Sequence, residues 1–170
     1  MPISRAAQHL RALITTVDDA GLCRVALETA FASRLGLRLR EGEARGFALR
    51  TLGVDSSAWS QSNASVHVES GPDLDDRLDL LAEGLAKIAE RPLTGRLMVE
   101  TLGISNQERL RWTKDGRLRQ SGSATIRRAH ALAIQTYDPD RLAEISSEDV
   151  RRWRESDDAG RRQKAKSINT

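Results

Sequence analysis

The sequence predicts a mostly α protein built from more than one unit, on three observations. Apolar residues recur at three- and four-residue spacing over most of the chain, the mark of helices with one buried face. Aromatic residues make up only 4% and Val and Ile are sparse, which disfavours sheet. A Leu-Gly-aliphatic helix end occurs twice, in "TLGV" at residues 51–54 and "TLGI" at residues 101–104.

Residues 4–17 read as the first helix, with Ala6, Leu10, Leu13, Ile14 and Val17 on one face. Asp18 or Asp19 caps a second helix carrying Leu22, Val25, Ala26, Phe31 and Leu35, which Gly36 ends. Residues 43–52 form a third helix that stops at Gly53. The following Ser- and Asn-rich stretch contains one alternating piece, "SVHVES", which reads as a short strand. Ser70-Gly71-Pro72 is a turn signal and places a boundary there. Residues 73–90 form the clearest helix. Asp73, Asp75 and Asp76 lie in its first turn and Lys87 in its last, as the helix dipole favours. Its Leu74, Leu78, Leu81, Leu85 and Ile88 make a two-heptad seam, suited to a core or interdomain contact or to a homodimer.

The chain is 39% hydrophobic and 30% charged, with no apolar run near the ~20 residues that span a bilayer, and no membrane or leader segment is expected. The single cysteine, Cys23, allows no disulfide within the chain and fits a reducing cytoplasm. His9, His67 and His130 are scattered, so neither a metal site nor a cofactor is expected. The acid pairs Asp18-Asp19, Asp75-Asp76 and Asp157-Asp158 stand at helix starts or in a solvated tail. No phosphate loop or nucleophile–base arrangement is present, and a non-enzyme is expected. Net charge is +3 but uneven. Residues 69–90 hold seven acids and two bases, residues 101–135 seven bases and two acids, and residues 151–166 seven bases and three acids. Such asymmetry points to a polyanion facing the second half, or to arginines that merely solvate helix faces.

The second half has a finer pattern. Thr94 can cap a helix through Leu102, Gly103 turns the chain, Ile104 packs in the angle, and Ser105 caps a second helix over residues 106–114 that Asp115-Gly116 ends. "LTGRLMVETLGISNQERLRWTKDGRL" resembles the excisionase/MerR-type winged helix-turn-helix family. The matching positions are Leu102, Gly103, Ile104, Ser105, Trp112, Lys114, Asp115, Gly116 and Leu118. "SGSATIRRAHALAIQTYDPDRLAEI" is similar to that family's β-hairpin wing and the helix after it. The likeness covers about a third of the chain. There are two departures. Arg109 stands where the family usually buries a Leu, and the wing tip "RRAHAL" has no Gly or Asn-Gly, so "ATIRRAHALAIQ" also reads as a helix.

The resemblance implies a winged helix-turn-helix with a small β-hairpin wing and gives its residues roles. Ser105, Asn106 and Gln107 open the recognition helix, where Asn and Gln can pair with adenine edges. Arg109 and Arg111 reach guanine or phosphate. Lys114, Arg117 and Arg119 are expected on phosphates, and Arg127 and Arg128 in a minor groove. The expected organisation is a helical domain at 1–70, a linker helix at 71–92, the winged domain at 93–145 and a basic helix and tail at 146–170. In the tail, Ser146 or Ser147 caps a short helix bearing Val150 and Trp153 that Gly160 ends. The "TLGV" copy is either a degenerate second helix-turn-helix, with "SSAWSQS" as its base-free recognition helix, or a chance helix end. The expected function is sequence-specific double-stranded DNA binding in the bacterial cytoplasm, at the nucleoid. The role would be that of a transcriptional regulator, or of a recombination accessory factor of a mobile element, phage or plasmid. The alternatives are a protein–protein adaptor and a phage DNA-packaging small subunit.

Overall fold

The computed structural model describes residues 3–19, 21–127 and 131–168. The chain divides into two compact units, Met1–Arg91 and Pro92–Thr170. It is helix-rich but mixed α/β, since each unit carries its own antiparallel sheet.

In the first unit, α1 (Arg5–Leu13) is capped by Ser4, whose Oγ accepts from the Ala7 amide. The helix stops at Ile14, and Val17 lies in a strand, β1 (Thr15–Asp19), which pairs with β2 (Leu22–Ala26). The hairpin replaces the capped second helix expected at Asp18–Asp19. Thr15, Thr16 and Val17 are β-branched and stiff in a helix, and Gly21 takes a φ of +88° that ends any helical register. Leu22, Val25 and Ala26 therefore belong to the sheet, and Phe31 to a shorter helix, α2 (Glu28–Ser33). Gly36 does not end that helix but lies inside α3 (Leu35–Arg38), where its bare Cα faces the chain of a later helix.

Helix α4 (Glu41–Leu52) ends at Gly53 in the left-handed region, as the "TLG" signal predicts. Strands β3 (Trp59–Ser60) and β4 (Ser65–Glu69) complete a four-stranded sheet in the order β1-β2-β4-β3, all antiparallel. Cys23 and Val25 face Val68 and Val66 across β2–β4, and all four are buried. The core sits between this sheet face and the helices, chiefly α5 (Leu74–Glu90). Leu78, Leu81, Leu85 and Ile88 are buried there and Leu74 packs at the margin. Of the core, interdomain and homodimer readings of the seam, the core one holds: it packs within the first unit, against α1 and α4.

The second unit runs β5 (Leu93–Thr94), α6 (Gly95–Leu102), α7 (Asn106–Lys114), β6 (Gly122–Arg127), β7 (Ala131–Tyr137), α8 (Pro139–Ala143) and α9 (Ser147–Ile168). Its sheet has the order β5-β7-β6. Between the helical and hairpin readings of "ATIRRAHALAIQ", the described residues form the hairpin, with Ala124 opposite Ile134 and Thr125 opposite Ala133. Asp138 caps α8 through bonds from the Asp140 and Arg141 amides, with Pro139 at the first helical position. Leu93, Met98, Ile104, Trp112, Leu118, Tyr137, Leu142 and Val150 are buried. Gly160 does not end the last helix. Flanking Arg, Lys, Gln and Ala are strong helix formers, and one glycine costs only about 1 kcal/mol against them. No helix among the described residues is long and apolar enough to cross a membrane.

Candidate nucleic-acid interface

The turn between α6 and α7 is fixed locally from both sides. The Thr94 hydroxyl accepts from the Leu97 amide at the start of α6. Gly103 has φ +61°, ψ +38°, and the Ile104 amide closes back on the Val99 carbonyl at 3.2 Å. Ser105 and Glu108 form a reciprocal capping box: Ser105 Oγ accepts from the Glu108 amide, and Glu108 Oε2 accepts from the Ser105 amide at 2.7 Å. The Ser105 side-chain oxygen thus caps the helix.

The first "TLGV" closes identically at its end. Gly53 has φ +67°, and the Val54 amide bonds the Leu49 carbonyl at 3.0 Å. The likeness stops there. Asp55 makes no side-chain cap, and Ser56–Ala58 form one 3-10 turn that passes into β3. "SSAWSQS" is not a second helix, so the repeat is a shared glycine helix end.

Helix α7 has two faces. Trp112 is buried on the inner one, and Ile104 of the turn is buried as well. Asn106, Gln107, Leu110 and Lys114 are exposed and follow one another at one-turn spacing on the outer face. The arginines behave differently. Arg109 Nε donates to Asn106 Oδ1 at 2.8 Å, and Arg109 Nη1 donates to Gln135 Oε1 and to Tyr137 Oη, both at 3.0 Å. Tyr137 Oη also lies 3.0 Å from Thr113 Oγ1. Arg109 thus ties α7 to β7 by polar bonds.

Arg111 and Arg117, expected on guanine or phosphate, are drawn together by Asp157 of α9. Arg111 Nη2 lies 2.6 Å from Asp157 Oδ2, and Arg117 Nη2 lies 2.7 Å from Asp157 Oδ1. The Trp112 indole N–H donates to Asp157 Oδ2 at 2.9 Å. Trp153 meets Trp112 edge to face at 5.0 Å, and the Arg117 guanidinium stands 5.4 Å over the Trp112 ring. Asp115 takes a further pair of bonds from Arg117. Burial alone pushes the Asp157 carboxyl up, but hydrogen bonds from Arg117 and Trp112 and the two guanidinium charges outweigh it and hold the group below its ordinary range. Arg111 Nε is buried without a hydrogen-bond partner, while its Nη2 is held by Asp157.

A second clamp lies one turn away. Arg154 Nε donates to Glu108 Oε1 at 2.7 Å, and Arg154 Nη2 donates to the Gly103 carbonyl at 2.9 Å. The Arg154 bond, with the Ser105 amide and hydroxyl, brings the Glu108 carboxyl down to about 2 against the pull of burial. Asp157, Arg154 and Trp153 were not singled out as site residues in the sequence. The signal was present: Val150, Trp153, Asp157 and Arg161 recur at three- and four-residue spacing, the stripe of a helix that continues past Gly160. The Asp157-Asp158 pair splits accordingly. Asp157 keeps 10% side-chain exposure and Asp158 61%.

Of the cations expected at the interface, Lys114 and Arg119 are exposed and have no ion-pair partner among the described residues. Arg127 closes β6 opposite Ala131, and Arg128 lies outside the described residues. Between α6, α7 and β7 runs a groove of about 740 Å³. Among the described residues no group of His, Cys, Asp and Glu is placed to hold a metal ion. The chain matches no family model, no curated protein and no solved structure.

Proposed function

We propose that the second unit binds double-stranded DNA in a sequence-dependent way, with α6, the Gly103 turn and α7 acting as a helix-turn-helix and β6–β7 as its wing. One observation carries this reading. On the outer face of α7 the side chains of Gln107, Leu110 and Lys114 are exposed and make no bond among the described residues, while its other side is fixed by the capping box, Trp112 and two arginine clamps. A helix locked at its base and bare along Gln107, Leu110 and Lys114 suits insertion into a major groove. Gln107 can bond an adenine edge, and Lys114 and Arg119 can neutralise phosphates. In this reading the β6–β7 hairpin would follow the DNA backbone as a wing, with Arg127 contributing its charge.

Three of the arginines expected as contacts serve instead to position α7, which lowers the number of phosphates engaged to about three to five. Affinity should then fall with salt at a log–log slope of about −3 to −4.5. The biological role that fits is a regulator of transcription or an accessory factor in recombination, or in DNA packaging, acting in bacterial cytoplasm at the nucleoid. The test is selection of bound duplexes from a random pool by the full chain, followed by a salt titration on the enriched site. Enrichment of one motif with that slope supports the reading. No enrichment, or binding that ignores salt, overturns it.

A further inference from the structure

Leu110 is a large hydrophobic side chain that the second unit leaves in the open. It is 49% exposed. An isolated exposed leucine is ordinary, but the position of this one is particular. It sits in the middle of the outer face of α7, one turn after Asn106 and Gln107 and one turn before Lys114. It forms the lip of the groove of about 740 Å³, whose apolar walls include Val99, Ala133 and Ile134. The longer charged side chains on either side of it in sequence, Arg109 and Arg111, are bonded to Tyr137 and Asp157 and do not cover it.

The polar groups around it narrow what it can meet. Asn106 Oδ1 already accepts from Arg109, which weakens Asn106 as a two-bond partner for adenine and leaves Gln107 as the amide free for that task. In the major groove the one apolar group on any base edge is the C5-methyl of thymine. Resting on the proposed DNA binding, we propose that Leu110 is a specificity-determining residue that packs on a thymine methyl, next to the base read by Gln107. Burial of that methyl against Leu110 would favour T over any base that lacks it, without a hydrogen bond.

Replacing single thymines by uracil in the selected duplex removes the methyl and leaves every hydrogen-bonding group. The full chain should bind a uracil-containing site about fourfold more weakly at one or two positions, the worth of one methyl-sized group at about 0.8 kcal/mol. Leu110→Ala should remain folded, bind the thymine site about as the parent binds the uracil site, and show no difference between thymine and uracil. A selected motif with no fixed T·A pair, or uracil substitutions that leave the parent's affinity unchanged, would overturn the inference while DNA binding stands. An equal uracil penalty in the parent and in Leu110→Ala would also overturn it, since the methyl would then be read elsewhere. If the full chain selects no duplex at all, the DNA reading falls and the role of Leu110 falls with it.

Discussion

Asp157→Asn should destabilise the second unit far more than its position in a basic tail would suggest. The carboxylate bridges Arg111 at 2.6 Å and Arg117 at 2.7 Å and accepts the Trp112 indole bond at 2.9 Å. Removing one member of a fully buried ion pair costs about 3–5 kcal/mol. Arg111 and Arg117 keep 37% and 25% side-chain exposure, so water screens part of the loss, and about 2–3 kcal/mol is the fitting figure. For a unit of this size each kcal/mol moves the melting midpoint by about 4–8 °C, so a drop on the order of 10–20 °C is expected. Thermal melting followed by tryptophan fluorescence reads it, because Trp112 and Trp153 both report on this cluster. Asp158→Asn is the control: its side chain is 61% exposed and its nearest cation, Arg161, is 3.8 Å away, so melting should move by less than about 0.5 kcal/mol. The sign with pH is fixed too. The folded Asp157 carboxyl lies below its ordinary range, so its stabilisation is complete above the unfolded value of about 3.9 and is lost as pH falls through the folded one. The gap between parent and Asp157→Asn should therefore close below about pH 4. Equal melting of Asp157→Asn and Asp158→Asn at pH 7 would refute the reasoning.

Glu108→Gln keeps the capping geometry but loses the charge facing Arg154, and should cost about 0.5–1 kcal/mol at pH 7; the difference should hold down to about pH 4 and vanish toward pH 2, near the folded value of about 2. Gly36→Ala places a Cβ 2.0 Å from the Ala89 carbonyl oxygen, which is backbone and cannot yield, so denaturant titration of the first unit should show a loss of about 1–3 kcal/mol or more. Gly160→Ala should do the opposite, since a Cβ there meets nothing within 4 Å and the position is helical: circular dichroism should show equal or greater helicity, and melting should show a gain of about 0.5–1 kcal/mol.

What the sequence revealed was set by how local each signal is. Thr94, Gly103, Ser105 and Glu108 act on backbone groups within a few residues, so α6, the turn and α7 could be placed with their caps. The five-residue leucine seam likewise marked α5, though its direction into the first unit depended on α1 and α4, which pattern alone does not place. The β1–β2 hairpin was obscured because Ala6, Leu10, Leu13, Ile14 and Val17 keep helical spacing straight across the break at Ile14. The surroundings of the candidate site were less legible. Charge and position give Arg109, Arg111 and Arg117 a polyanion to meet, but Gln135, Tyr137 and Asp157, which also hold them, lie 26 or more residues away in sequence. Such pairing across elements cannot be read from a charge count.

If the outer face of α7 reads bases, Gln107→Ala will change which bases are preferred. Competition binding on the selected duplex and all its single-base variants should show discrimination falling by about 1–3 kcal/mol at one or two adjacent positions, with melting unchanged because Gln107 is exposed. A single-base profile of Gln107→Ala that superimposes on that of the parent would contradict the claim.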